Sequence, residues 1–221
     1  MQPLRRLACA AVLLAAASLA GASPTSPREG AEFATLPDPQ PTDSGKKIEV
    51  IEFFAYYCPH CYAFEPKLAA WVKKQGDNIV FRRVHVPRGE AVAAQQRMFF
   101  TLESLGMLEQ YHDKAFHAMH VDRLPLSQDE QVFDWASRAG IDRARFIDTY
   151  RSFGVQAKVR RAQAMMDGYR ITHWPMIAID GRFLTSPGMV SEANGNGGEQ
   201  ALAGTLSVMD VLVARARADK K

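Results

Sequence analysis

The chain has 221 residues, 47% of them apolar and 23% charged, with a formal net charge of +3. That is enough apolar material for one well-packed core with an inserted lobe, and the near-neutral balance excludes the basic footprint of a nucleic-acid-binding protein. Only three cysteines are present, two of them in a single C-x-x-C, which argues against both a disulfide-stapled scaffold and a zinc site needing about four ligands.

Arg5 and Arg6 precede an apolar run from Leu7 to Ala20, followed by Ala20-Gly21-Ala22. This is the pattern of a secretory signal peptide, residues 1–22, cut after Ala22. An apolar run of about 14 residues falls short of the roughly 20 needed to span a bilayer. Cys9 stands before the centre of the run instead of ending it, so a lipoprotein anchor is not expected. Two arginines and no acids leave with the leader, so +3 becomes +1. Cys58 and Cys61 are then the only thiols, in an oxidising compartment where the tiny loop between them cannot act as a staple. They read as redox-active. Residues 23–47 carry Pro24, Pro27, Pro37, Pro39 and Pro41 and form an extended lead-in, with Phe33–Leu36 predicted as an edge strand.

The stretch IEVIEFFAYYCPHCYAFEP follows, at 48–66. Apolar residues at both odd and even positions from Val50 to Tyr57 predict a strand covered on both faces, as in the centre of a layered sheet. Phe53, Phe54 and Tyr56 are core candidates. Beyond the cysteines, Cys61, Phe64, Leu68 and Val72 recur at helical spacing, so Cys61 faces inward. Pro59 suits the first helical position and leaves Cys58 as the cap; Pro66 should kink the helix. Unpaired N–H groups, the positive helix end and His60 all favour a thiolate at Cys58. In such motifs the thiol pKa falls from about 8.5 to roughly 3.5–7.5. A value near 4 would favour the dithiol at pH 7 by about 4 kcal/mol, or roughly 90 mV. An exposed, attacking Cys58 and a screened, resolving Cys61 are expected. Glu52, a carboxylate in a central strand, must be paired, protonated or wet; proton relay to Cys61 and a structural ion pair both remain open. Tyr57 and Tyr62 flank the thiols and are candidates for lining a peptide groove.

Asn78–Val86 reads as the next strand, completing a strand–helix–strand crossover, with His85 structural at its end. A run of helices comes next. One stripe is Ala91, Ala94, Met98, Leu102 and Leu105; another is Leu108, Tyr111, Ala115 and Met119. Ser127-Gln128-Asp129-Glu130 is a capping box opening a helix that Gly140 stops. Asp142 caps a short helix with Phe146, Ile147 and Tyr150, and Val155, Val159, Ala162 and Met166 mark a longer one. His112, His117 and His120 read as lone surface histidines rather than metal ligands. Met176–Asp180 returns to strand, with a hairpin turn at Asp180-Gly181. Ser186–Gly198 reads as a mobile glycine-rich loop, and Leu202, Leu206, Met209 and Val213 define a final helix.

The motif FFAYYCPHCYAFEP, the export signal and the helical run between strands closely resemble DsbA-type thiol–disulfide oxidoreductases of the bacterial periplasm. DsbA-type thiols themselves define the low end of the acidity range just quoted, so that magnitude belongs to the family and is no independent result of this sequence. The resemblance implies an α/β thioredoxin fold with an inserted helical domain. On this sequence that divides into a first thioredoxin-like part at 48–86, an insertion at 87–154 and a second thioredoxin-like part at 155–221. It also implies a cis-proline loop facing the disulfide, which falls at His173, Trp174 and Pro175. The family usually has Gly followed by Val or Thr before that proline, so the two bulky residues here bear on redox tuning and substrate preference. Glu52 matches a buried acid beneath the disulfide and Arg83 its basic partner. Glu65 matches a charged position too, and reads as solvated on an exposed helix face.

The function expected is donation of the Cys58–Cys61 disulfide to reduced, unfolded exported proteins, in which Pro59 and His60 stabilise the Cys58 thiolate. The resemblance implies reoxidation by a DsbB-type quinone-linked membrane protein. No cofactor beyond the redox-active disulfide, no metal, no nucleic acid and a monomeric state are expected. The alternatives are a disulfide isomerase or reductase, and a non-catalytic periplasmic peptide-binding chaperone.

Overall fold

The computed structural model describes residues 26–86, 89 and 92–220. The leader at 1–22, Cys9 within it, and Ala91 of the first helical stripe lie outside the described residues. Five strands form one mixed sheet in the order β1-β5-β4-β2-β3. The central strand β2 (Ile48–Phe54) is buried at all seven positions, as its uninterrupted apolar run requires. It pairs in parallel with β3 (Ile79–His85) and antiparallel with β4 (Met176–Ile179). β1 (Phe33–Thr35) is the edge strand expected in the lead-in, paired with β5 (Phe183–Thr185).

Alternation along β2 and β4 divides the core between the two faces of the sheet. Ile48, Val50, Ile177 and Ile179 pack with Phe64, Leu68 and Trp71 of α1 (Pro59–Gln75) and with Val208, Met209 and Leu212 of α8 (Gly198–Asp219). Ile51, Phe53 and Ala178 look the other way. They join a cluster built from α2 (Ala93–Ser104), α3 (Leu108–His120), α4 (Asp129–Arg138), α5 (Arg143–Tyr150) and α6 (Phe153–Gly168), all inserted between β3 and β4. The β4–β5 turn has Asp180 and Gly181 both at positive φ, 51° and 67°, the backbone that an Asp-Gly hairpin demands.

Pro66 lies inside α1, on its exposed face. Two local expectations need correction. The capping box does not form: Gln128 precedes α4 without a side-chain hydrogen bond, and Gln131 takes the Ser127 N–H at 3.0 Å. Its acids have stronger partners elsewhere, Glu130 on Arg143 at 3.0 Å and Asp129 on Arg97 at 2.7 Å. The glycine-rich stretch after β5 is no loop. It contains α7 (Pro187–Asn194), capped by the Ser186 hydroxyl, with Pro187 at the helix start and Gly195 closing it in the left-handed region, and its Val190 is buried in the core.

Candidate active site

β2 ends just before the two sulfurs, and α1 begins between them. Cys58 is the N-cap, in extended backbone (φ −83°, ψ 114°), and Pro59 occupies the first turn, where no N–H is needed. The Cys58 sulfur accepts the Cys61 N–H at 3.3 Å, and as a thiol donates to the Trp174 carbonyl at 3.7 Å. Both cysteines are in the free, dithiol form.

Cys58 is held at a pKa of about 6, three units below an ordinary thiol, chiefly by a hydrogen bond from the Cys61 thiol. Backbone N–H groups of Cys61 and His60 and the His60 charge add to this, and burial opposes it. The sequence pointed to the helix end and His60 first; the neighbouring sulfur outranks both. Burial pushes the Cys61 thiol far up, and the Cys58 charge pushes it further. Cys58 is also less open than expected, at 5% exposure. The loop before β4 lies against it, with the Trp174–Pro175 peptide cis and the Trp174 indole edge-on to Tyr57, 6.4 Å between centroids.

Beneath the sulfurs lies a buried polar group assembled from four elements. Glu52, wholly buried in β2, sits opposite Arg83 in the parallel register and accepts from its Nε at 3.2 Å. The Arg83 Nη2 donates to Glu65 at 2.5 Å. Glu65 is therefore not solvated as expected: it is 4% exposed. The spacing from Cys61 to Glu65 is four residues, so both belong on one helix face, and only the assumption that a carboxylate avoids that face hid it. Burial raises Glu52 to about 8, helped by the Glu65 charge and resisted by Arg83. The guanidinium stays ionised because its two carboxylates outweigh its own burial.

Two of the three histidines of α3, His112 and His120, are also misplaced by the sequence reading. His112 is 4% exposed, with Nδ1 at 3.0 Å from the Tyr56 hydroxyl and Nε2 at 3.4 Å from Glu65. His120 reaches the Tyr56 carbonyl at 2.8 Å and stacks on Tyr62, rings 5° apart. His117 is exposed, beside Asp122. His85 is buried and accepts the Tyr56 N–H through Nε2 at 3.1 Å; burial lowers it to about 3, so it stays neutral. Four residues spacing Leu108 from His112 was the available signal.

Beside Cys58 opens a cleft of about 270 Å³, lined by His60, His173, Trp174, Pro175, Pro187 and Leu202. His173 also reaches the hydroxyl of Ser186, the residue that caps α7, at 3.4 Å. One wall is thus α7, the stretch read as a loop. Tyr57 and Tyr62 do not share this lining. Tyr62 turns instead toward Phe116 and Pro66, into a separate depression between α1 and α3.

Two adjacent sulfurs of opposed acidity, at a helix start on a thioredoxin-like sheet, define a thiol–disulfide oxidoreductase. The DSBA-like thioredoxin domain matches residues 49–195, and the chain belongs to that family. It is 37% identical over 207 residues to the thiol:disulfide interchange protein DsbA of Burkholderia cepacia, covering 93% of each chain. With the protein of the same name from Pseudomonas aeruginosa it shares 33% identity over 211 residues, 95% of this chain and 96% of that one. The crystal structure of Pseudomonas aeruginosa DsbA superposes with a TM-score of 0.78 at 32% identity, covering 86% of this chain and 94% of that one.

Proposed function

We propose that the protein is a periplasmic disulfide donor that oxidises reduced, unfolded exported proteins. The observation that carries this reading is the asymmetry of the pair: Cys58 held near 6 while Cys61 is pushed far above its ordinary value. A substrate thiolate attacks Cys58, whose bond to Cys61 breaks. The Cys61 sulfur leaves as an unfavourable anion and takes a proton from the Glu52 carboxyl, which is largely protonated at pH 7. A second substrate thiolate then attacks the substrate sulfur of the mixed disulfide and releases Cys58 as a stable thiolate. The substrate leaves with one more disulfide, and Cys58 and Cys61 are left reduced.

Pro59 and His60 serve the thiolate, while His173, Trp174 and Pro175 form the wall against which an extended substrate segment lies. A DsbB-type quinone-linked membrane protein reoxidises the pair, the leader at 1–22 directs export, and the protein acts as a monomer. Among the described residues no helix is long and apolar enough to cross a membrane. The test is oxidative refolding of a reduced, unfolded protein by the oxidised chain in the absence of other oxidants. Disulfides should appear in the client in stoichiometric amount, and Cys58→Ala should abolish them. A Cys58→Ala variant that kept the full refolding rate would point to a chaperone, and a pair harder to reduce than glutathione disulfide would point to a reductant.

A further inference from the structure

The buried polar group holds two carboxyls and one guanidinium, with side-chain exposures of 0% for Glu52, 6% for Glu65 and 10% for Arg83. One cation cannot neutralise two buried carboxylates, so one carboxyl retains a proton. Arg83 does not choose between them, since it donates to each. The choice is made from α3. We infer that His112 is a positioning residue that keeps Glu65 as the ionised partner of Arg83 and thereby places the single buried proton on Glu52. This rests on the relay role proposed for Glu52.

The tautomer of His112 follows from its two neighbours. The Tyr56 hydroxyl lies at Nδ1, and its own pKa is pushed well up by burial, so it remains an O–H. Were Nδ1 to carry the ring proton, a bare Nε2 lone pair would face a carboxylate oxygen. With the Tyr56 hydroxyl donating to Nδ1, the ring proton is on Nε2, the nitrogen on the side of Glu65 Oε2, 3.4 Å away. The contact is an ion-pair distance and not a formed hydrogen bond, and neither of these two buried atoms has a hydrogen-bond partner elsewhere, so each is the group that can answer the other. Burial and the Arg83 charge keep His112 from ionising, so it acts as a neutral donor.

Glu65 then has a donor group at each oxygen, Arg83 hydrogen-bonded to Oε1 and His112 at ion-pair distance from Oε2. Glu52 differs: its Oε2 accepts from Arg83 while its Oε1 has no hydrogen-bond partner and is fully buried. A carboxyl with one unserved oxygen is the cheaper place for a proton. It lies on the sheet face covered by α1, where its charge is felt at Cys61. The charged or titratable groups facing His112 are Tyr56, Glu65 and Arg83, with Asp113 beside it on α3 and the neutral His85 ring nearby. The inserted helices therefore do more than cover the sheet: one of their side chains sets which carboxyl below the disulfide is the acid.

Two variants of the full chain separate donor from packing. His112→Phe keeps a ring without the donor, and His112→Gln keeps an N–H donor of similar reach. The protonated-carboxyl infrared band is read at pH 7 in each, alone and combined with Glu52→Asp or Glu65→Asp, which keep both carboxyls and move the band only where the replaced one holds the proton, beside the pH profile of disulfide reduction by glutathione. In the native chain and in His112→Gln the band should shift when Glu52→Asp is added and stay in place with Glu65→Asp. In His112→Phe it should shift with Glu65→Asp instead, and the alkaline inflection of the rate should move down by about one pH unit. A band that depends on Glu52 alone in His112→Phe overturns the inference, as does His112→Gln behaving like His112→Phe. Should Glu52→Gln leave the rate profile of the otherwise native chain unchanged, the relay role fails instead, while the infrared band still decides where the proton sits.

Discussion

The acidity of Cys58 fixes how the redox equilibrium must respond to pH. Moving a thiol from 9.0 to about 6 spans three units, or about 4 kcal/mol between thiolate and thiol. Only part of this acts at neutral pH. At pH 7 the folded thiol is about nine-tenths ionised and an ordinary one about one-hundredth, so the dithiol gains at most about 1.4 kcal/mol, or roughly 30 mV for two electrons. This is less than a thiol near 4 would supply, because burial of Cys58 works against its charge. The folded pKa is depressed, so the stabilisation of the reduced form is complete above the ordinary thiol value and is lost as pH falls through 6. Reduction consumes two protons below that point and one above it, since Cys61 stays protonated. The potential should fall by about 59 mV per pH unit below pH 6 and by about 30 mV above it. Equilibration with glutathione between pH 4.5 and 8.5, followed by alkylation and counting of free thiols, measures both slopes. A single slope of about 59 mV across the whole range would mean that Cys58 remains a thiol, and the proposed asymmetry would be gone.

The Trp174 indole meets Tyr57 and lines the cleft with His60, so Trp174→Val should widen that approach and speed alkylation of the reduced protein by a bulky maleimide roughly tenfold, with little change for iodoacetamide. Tyr150→Phe removes the hydroxyl that donates to Asp129 at 2.6 Å and accepts from Arg97 at 3.0 Å; urea unfolding should show a loss of about 1.5–3 kcal/mol. Gly181→Ala drives a Cβ into the Gln40 carbonyl at positive φ, so it should cost well over 1 kcal/mol in the same assay, against a neutral result for Gly195→Asn at a left-handed, open helix end. Glu52 has a folded pKa raised to about 8 by burial. Stability should therefore fall as pH rises from about 4.5 toward 8, and Glu52→Gln should flatten that dependence.

Much of the architecture was present in local pattern. The two-sided apolar run of β2, the proline-started helix behind Cys58, the stripes of α2 to α6 and the Asp-Gly turn each follow from periods of 2 or 3.6 residues and from the backbone needs of proline and glycine. The helix α7 escaped because its glycines outweighed the Ser-Pro pair that starts it. The polar layer escaped for another reason. Glu65 and His112 sit at inward positions of α1 and α3, but whether such a position holds a leucine-like contact or an ion pair depends on what the opposite element brings, here Arg83 from β3 and Tyr56 from the end of β2. The covering of Cys58 joins residues 116 positions apart. Sequence alone determined which sulfur caps a helix; only the folded chain decided how far that sulfur is shielded, which neighbour steadies its charge, and which buried carboxyl can hold the proton, because each of those depends on side chains meeting across elements that no local repeat connects.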